Sequence, residues 1–142
     1  MITQIEAEKD TLTERIIGSC FKVHRALGPG FPEKVYHAAL MTDLRRAEIV
    51  VESERNFNVM FQGVAVGEFR CDLLIERSVI VEVKAIVGVM PKVFAAQLVA
   101  YLKAAQLPVG LLVNFGNLSC EVKRAVLSSA KSNRNPRNQT RS

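Results

Sequence analysis

The residues best placed to do chemistry lie within residues 67–85, which read GEFRCDLLIERSVIVEVKA. The alternation of apolar and polar residues predicts two strands joined by a tight turn, with Asp72 on the first strand and Glu82 and Lys84 on the second. Residues two apart on a strand point to the same face, so Glu82 and Lys84 emerge together, about 7 Å apart. Two carboxylates and an ammonium held in this way suit a divalent hard cation. Mg²⁺ keeps several waters, so two protein carboxylates are sufficient for it.

Asp72 can join the other two charged side chains in only one strand register. A loop with an odd number of residues, centred on Arg77, places Asp72 opposite Glu82 with their Cβ atoms roughly 5 Å apart. The charged side chains then share one face with Leu74 and Ile80, and a slip by one residue would separate the acids. The opposite face is wholly apolar and comprises Cys71, Leu73, Ile75, Val79, Val81 and Val83.

A Glu-x-Lys triplet alone is a weak signal, because the chain contains a second one at Glu121 and Lys123. Without further context, either triplet is more often a solvated strand edge or a helix surface. The first triplet differs because it lies in the apolar run 79–87, which predicts a buried central strand, where charges are rarely found unless they are paired or bind a metal. Next to a bound cation, Lys84 could favour the hydroxide form of a metal-bound water, or it could neutralise negative charge that builds on a phosphate.

Length and composition predict one domain of ordinary size. The chain has 142 residues, 49% of them hydrophobic, which is enough for a single core. No apolar run reaches the ~18 residues of a membrane span, and the N-terminus has neither the basic region nor the apolar core of an export signal. We therefore expect a cytoplasmic protein that does not associate with a membrane.

The net charge of +5 comes mainly from the C-terminal end. Residues 128–142 contain four of the 19 basic residues and no acid, which leaves 15 basic and 14 acidic residues in the rest of the chain. We expect residues 1–127 to form a single domain and residues 128–142 to be a disordered basic tail. Such a tail either attracts phosphate or only aids solubility.

The cysteines and histidines show no metal-binding spacing. Cys20, Cys71 and Cys120 are some fifty residues apart, and we expect reduced, mostly buried thiols. His24 is better explained as a packed core or cap histidine than as a ligand, and the case for His37 as a ligand is weaker still. Zinc is therefore not expected.

Two helices are predicted before the strands. Residues 11–27 form an amphipathic pattern with a capping-box spacing between Thr11 and Glu14 and a stop at Gly28. A second helix begins near Pro32 and continues to about residue 47.

The second helix would place an acid on its core-directed face. Glu33 and Tyr36 recur at helical spacing with Leu40 and Leu44. Glu33 is then either an N-terminal acid favoured by the helix dipole or a further acid directed at the metal site.

The remaining pattern completes an α/β arrangement. Residues 56–61 and 64–69 predict a hairpin, and its second strand continues into residues 70–76. A helix over about residues 91–106 and an apolar strand over residues 109–115 follow, which implies a right-handed crossover and a parallel pair. The segment after this strand, up to about Leu127, fits either a short strand or a short helix.

The order of these elements resembles the PD-(D/E)XK nuclease superfamily, with Asp72 on the second strand and Glu82-x-Lys84 on the third. Residues 30–36, GFPEKVY, fit the GxxExxY motif of one branch of that superfamily. The segments VHRALGPGF, DLLIE, VEVKA and LLVNFG are also similar to blocks of this branch, so the resemblance covers about residues 11–127. It implies a restriction-endonuclease-like αβββαβ core, with a mixed central sheet flanked by helices and an extra N-terminal helix.

The resemblance also implies roles for single residues. Asp72 and Glu82 would bind Mg²⁺ or Mn²⁺, Lys84 would act on the attacking water, and Glu33 would be an additional acid. Gln97 and Tyr101, which resemble the QxxxY motif of RecB-type members, would border the site and touch substrate or position the lysine, and Tyr36 would also line the site or touch substrate.

Three functions follow as hypotheses. The first is a metal-dependent phosphodiesterase that hydrolyses DNA through a metal-activated water. The second is a catalytically silent module that keeps the fold and binds nucleic acid or protein, which the nearly neutral body of the chain favours. The third is hydrolysis of a smaller phosphate ester. A homo-oligomer is compatible with each of them.

Overall fold

The computed structural model describes residues 4–127, with the side chains of residues 11–127. The predicted basic tail, residues 128–142, lies outside the described residues. The helices are α1 (Gln4–Leu27), α2 (Glu33–Arg46) and α3 (Lys92–Ala105). The strands are β1 (Val51–Ser53), β2 (Asn56–Phe61), β3 (Val64–Arg70), β4 (Leu73–Ile75), β5 (Val79–Lys84), β6 (Val109–Asn114) and β7 (Glu121–Val126).

A five-stranded sheet with the order β1-β4-β5-β6-β7 forms the centre of the fold. β5 and β6 are parallel and are connected through α3, whereas the other neighbours are antiparallel. The structure therefore confirms the predicted parallel pair and the mixed α/β class with helices flanking a mixed sheet. It also resolves the ambiguous segment after β6 as an edge strand, β7, so Glu121 and Lys123 lie on a strand edge.

The predicted register of the β4–β5 hairpin is confirmed. Leu73 pairs with Val81 and Ile75 with Val79, so the turn is centred on Arg77. β5 is the central strand of the sheet, and its first five residues are buried. The charged face of the hairpin is thus fixed by the same alternation that buries its apolar face.

One apolar cluster fills the space between the sheet and the pair α1 and α2, and a second lies on the other side of the sheet, against α3. The predicted apolar face of the hairpin packs in the first cluster, with the exception of Cys71, which packs in the second with Leu74 and Ile80. The placement of Cys71 was wrong because the alternation does not continue across the end of β4. All three thiols are free; Cys20 and Cys71 are buried and Cys120 is half-buried.

Two strand predictions also need correction. Residues 64–76 do not form one strand, because β3 pairs with β2 in a separate two-stranded sheet and β4 begins only at Leu73. β1 was not predicted, since a three-residue strand is too short to show a period. The hairpin of β2 and β3 is confirmed, with its turn at Gln62 and Gly63.

The first helix begins at Gln4, earlier than predicted, so Thr11 and Glu14 lie inside it and do not form a capping box. Its end is as expected: Gly28 has a φ of 70°, which favours glycine, and its N–H donates to the His24 carbonyl at 2.7 Å. His24 itself is a packed histidine. Its Nε2 donates to the Asn117 carbonyl at 2.8 Å, and its ring stacks against Phe115.

None of the helices within residues 4–127 combines the length and the apolar character that a membrane crossing needs.

Candidate active site

Two carboxylates meet where the β4–β5 ladder ends. The Asp72 N–H donates to Glu82 Oε2 at 2.9 Å, and the Val83 N–H donates to Asp72 Oδ2 at 2.7 Å. These side-chain bonds follow directly on the last main-chain pair, Leu73 with Val81. Each acid therefore accepts a hydrogen bond from the other strand, which fixes both carboxylates in place and lets the chain before Asp72 leave the sheet.

The remaining oxygen of each carboxylate has no hydrogen-bond partner within residues 11–127. Every fully buried side-chain nitrogen or oxygen in this range has one, so Asp72 Oδ1 and Glu82 Oε1 must reach solvent. Oxygens of this kind can accept a proton, water or a cation.

Glu82 is an ionisable group in an unfavourable environment for its charge. The residue is only 6% exposed, and burial raises its pKa from 4.5 to about 7, with the nearby charge of Asp72 adding to the increase. The hydrogen bond from the Asp72 N–H and the charge of Lys84 act in the opposite direction. A divalent cation would favour the ionised form far more strongly than either of them.

Lys84 follows Glu82 on the same face of β5, as predicted. Its side chain is half-buried, and its Nζ lies 4.2 Å from the centroid of the Phe94 ring on α3. Lys84 is not among the ion pairs found in the described part of the chain. The ammonium is thus held by a cation–π contact rather than by a carboxylate, and it stays available to an anion.

Glu33 is the first residue of α2, a helix that packs against β5. Partial burial raises the pKa of Glu33; the charge of Lys84 lowers this pKa, and that of Asp72 raises it. Glu33 is thus within electrostatic influence of Asp72 and Lys84.

Tyr36 does not lie at the surface of this group. It has no exposed area, and its ring stacks on Phe115 with the centroids 4.7 Å apart. Its hydroxyl donates to the Gly28 carbonyl at 2.5 Å and accepts from the Phe31 N–H at 3.2 Å. The predicted lining role does not fit a fully buried side chain. Tyr36 instead fixes the loop that leads into Glu33.

Tyr101 and Gln97 both lie on α3, Tyr101 half-buried and Gln97 exposed. The Tyr101 ring stacks on Phe69 with the centroids 4.1 Å apart. Partial burial raises the pKa of Tyr101, and the charges of Glu82 and Asp72 raise it further. Gln97 is one turn earlier on α3 and exposed, where an incoming ligand could reach it.

His37 is a neighbour of the site that the sequence did not suggest. Its Nε2 donates to the Asp72 carbonyl at 3.1 Å, and the Glu54 N–H donates to the same carbonyl at 2.8 Å. These two bonds hold the main chain at Asp72. The available signal was the spacing of four residues from Glu33, which places both side chains on one face of α2.

The donor set fits a magnesium-like ion better than zinc. Within the described residues there is no group of three or more His, Cys, Asp and Glu side chains that could enclose a metal. Two carboxylates with free oxygens nevertheless satisfy a cation that keeps most of its waters. Asp72 and Glu82 are the residues that would hold such an ion.

Comparison with known proteins identifies one family. Residues 10–125 match the sequence profile of the PD-(D/E)XK nuclease superfamily, which is most of the chain. No curated protein and no solved structure matches the chain.

Proposed function

The chain belongs to the PD-(D/E)XK nuclease superfamily, and from this premise we propose that it is a metal-dependent phosphodiesterase that hydrolyses DNA. One observation carries the proposal: Asp72 and Glu82 are fixed by reciprocal hydrogen bonds, each with a second oxygen left free. Lys84 lies beside them on the same strand face. These hydrogen bonds need an acceptor oxygen but not a negative charge, and a neutral amide would cost less to bury, so the charges of the two acids call for a functional explanation.

In the proposed site, Asp72 and Glu82 would hold Mg²⁺ or Mn²⁺. When bound, the ion supplies positive charge that activates water and stabilises the phosphate. Glu82 must lose its proton to act as a ligand, so metal binding and deprotonation of Glu82 are linked. The hydrogen bonds from the opposite strand already hold both carboxylates in place. The two side chains would therefore lose little conformational entropy when a metal ion binds.

The remaining residues would act on the reacting groups. Lys84, held over Phe94, would orient the attacking water and offset charge on the phosphate in the transition state. Glu33, whose pKa is raised, would accept or hold a proton next to that water. Tyr101 and Gln97 would contact the substrate from α3.

The proposal includes two narrower assignments. We assign the chain to the GxxExxY branch because residues 30–36 carry that motif and its tyrosine fixes the loop before the acid. We further propose that residues 1–127 form a single domain, that the substrate is DNA and that the protein is located in the cytoplasm.

A cleavage assay with matched variants tests the proposal. Single-stranded, duplex and branched DNA are incubated with the protein and Mg²⁺ or Mn²⁺, and the products are separated by size. We expect cleavage that is abolished by Glu82→Gln, which keeps the shape and the acceptor for the Asp72 N–H. Glu121→Gln in the second triplet is the matched control and should cleave normally. Binding of DNA without any metal-dependent cleavage would instead support the catalytically silent module.

A further inference from the structure

The Lys84 ammonium contacts an aromatic ring although carboxylates are close enough to feel its charge. Burial raises the pKa of Glu33 and of Glu82, and the charge of Lys84 opposes this increase at both residues. Within residues 11–127 Lys84 nevertheless forms no ion pair, and its Nζ lies 4.2 Å from the centroid of the Phe94 ring. The ring thus holds an ammonium that has acids within electrostatic reach.

The Phe94 ring is fixed by the fold and not by the lysine. Phe94 lies in the first turn of α3, where its N–H donates to the Pro91 carbonyl at 3.1 Å. Its half-buried side chain packs against the apolar cluster between the sheet and α3. The core therefore sets the position of the ring, and the flexible lysine side chain adapts to it.

The loop that leads from β5 to α3 is tied to the end of β6 and the residues after it. Asn114, which is fully buried and pairs with Lys84 in the sheet, accepts from the Ile86 N–H at 2.9 Å and donates to the Ile86 carbonyl at 3.0 Å. Asn117 makes the same two bonds to Gly88, at 2.8 and 2.9 Å. These four hydrogen bonds fix the path by which the chain returns from β5 and brings α3 over the lysine.

An ammonium beside acids competes with a metal ion for them. If Lys84 paired with Asp72 or Glu82, a divalent ion would have to displace it, and the apparent affinity for the ion would fall with the fraction of unpaired protein. A cation–π contact corresponds to about 2- to 30-fold in an equilibrium constant, whereas a partly exposed ion pair corresponds to at most about 5-fold. The ring is therefore strong enough to hold the ammonium away from the acids.

We infer that Phe94 is a positioning residue, which keeps the Lys84 ammonium off the carboxylates so that the acids stay free for a cation and the ammonium for an anion. The inference rests on the proposed function for the identity of these ligands, a divalent cation and a phosphate. The position of the ammonium itself is a property of the protein without any ligand.

NMR spectroscopy of the metal-free protein tests this position. Protons above an aromatic ring are shifted upfield by its ring current, so the Hε resonances of Lys84, assigned by their loss in Lys84→Gln, should lie upfield of those of the exposed Lys123. Phe94→Leu should abolish the upfield shift, and Phe94→Tyr, which keeps the ring, should retain it. An unshifted Lys84 resonance in the native protein, or a shift that survives Phe94→Leu, would overturn the inference.

A double-mutant cycle tests the consequence for the acids. Calorimetry measures the Kd of Mn²⁺ for the native protein, Phe94→Leu, Lys84→Gln and the variant with both changes. Phe94→Leu should weaken Mn²⁺ binding about 2- to 6-fold, because an ion pair of the strength given above then competes with the metal. In the Lys84→Gln background the same change should have no effect, since no ammonium is left to compete. Equal losses in both backgrounds would show that Phe94 only supports the fold and would refute its positioning role.

Phe57→Leu is the matched control. Phe57 is also half-buried and also has a cation over its ring, with the Arg55 guanidinium carbon 5.2 Å from the centroid, but it lies on β2. Its removal should change neither the Lys84 resonances nor the Kd of Mn²⁺.

The two proposals fail separately. A ring-current shift that depends on Phe94, in a protein that neither binds Mn²⁺ nor cleaves DNA, would refute the nuclease and keep Phe94 as the residue that positions Lys84. Cleavage that depends on Glu82, in a protein whose Lys84 resonances do not respond to Phe94→Leu, would do the reverse.

Discussion

Glu82→Gln provides a direct test of the electrostatics of the site without any knowledge of the substrate. The glutamine oxygen can still accept the Asp72 N–H, so the variant removes a charge and leaves the shape nearly unchanged. In the folded protein the pKa of Glu82 is raised to about 7, above its ordinary value of 4.5. The folded state therefore binds this proton more tightly than the unfolded chain does.

The sign and size of the effect follow from this difference. Below about pH 4.5 Glu82 is protonated in both states and costs nothing, whereas between 4.5 and about 7 the unfolded chain ionises first and stability falls as pH rises. At about 1.36 kcal/mol per pH unit, the full cost above pH 7 is on the order of 3 kcal/mol. Relative to the native protein, Glu82→Gln should be stabilised by this amount at alkaline pH.

Urea unfolding of both proteins without metal, from about pH 4.5 to about pH 8, measures the difference directly. The free energies of unfolding of the two proteins should diverge as pH rises. In thermal unfolding, their melting temperatures should differ by roughly 10 °C at the alkaline end of this range. Taking the difference between the proteins cancels the titrating groups that do not interact with Glu82. Mg²⁺ or Mn²⁺ at 100 times its Kd should then stabilise the native protein by about 2.7 kcal/mol and the variant little or not at all.

Glu121→Gln in the edge strand is the matched control, and its pH profile should follow that of the native protein. Parallel profiles for the native protein and Glu82→Gln would show that burial does not hinder ionisation of Glu82. Equal stabilisation of both proteins by metal would place the cation elsewhere.

Three further predictions concern neighbouring residues. Lys84→Ala should lower the single-turnover cleavage rate at least about 100-fold, because the charge of the Lys84 ammonium acts on the transition state. DNA binding by this variant, measured by fluorescence anisotropy, should be retained. The control Lys123→Ala should leave the cleavage rate unchanged. His37→Ala should weaken the binding of Mn²⁺, measured by calorimetry, by about 10- to 100-fold, because the Asp72 main chain loses a hydrogen bond that holds it in place. If this variant binds Mn²⁺ with the affinity of the native protein, the role assigned to His37 is wrong. Tyr36→Phe should lower the free energy of unfolding in urea by about 1–3 kcal/mol, because the Gly28 carbonyl and the Phe31 N–H lose their partner; an unchanged midpoint would show that water replaces the hydroxyl.

The part of the site on the β4–β5 hairpin could be predicted because its information is local. Strand alternation has a period of two, so the apolar face fixes the charged one, and the odd turn centred on Arg77 fixes the register. Glu82 and Lys84 therefore follow from the sequence without any knowledge of the rest of the fold. The parallel pair of β5 and β6 was predictable for a similar reason, because a crossover through a helix permits few arrangements.

The features that were missed depend on contacts distant in sequence. Tyr36 has helical spacing with the leucines of α2, but only the stacking of the Phe115 ring, from the segment after β6, shows that its side chain is enclosed. The spacing of His37 from Glu33 acquires a meaning only when the fold brings the Asp72 carbonyl to the His37 ring. The break between β3 and β4 is equally non-local, because a two-stranded sheet packed on α3 directs β3 away from the central sheet.

This break explains why the acids lie where they do. A strand that continued through Asp72 would use its main-chain groups for the ladder with β5, whereas here Asp72 and Glu82 side chains accept the N–H groups at that point. The carboxylates thus replace main-chain acceptors, and a buried N–H without an acceptor would be costly. Loss of the acceptor at either position should therefore disturb the strand end as well as the charge. For this reason the glutamine variant, and not alanine, separates the chemistry of Glu82 from its contribution to the fold.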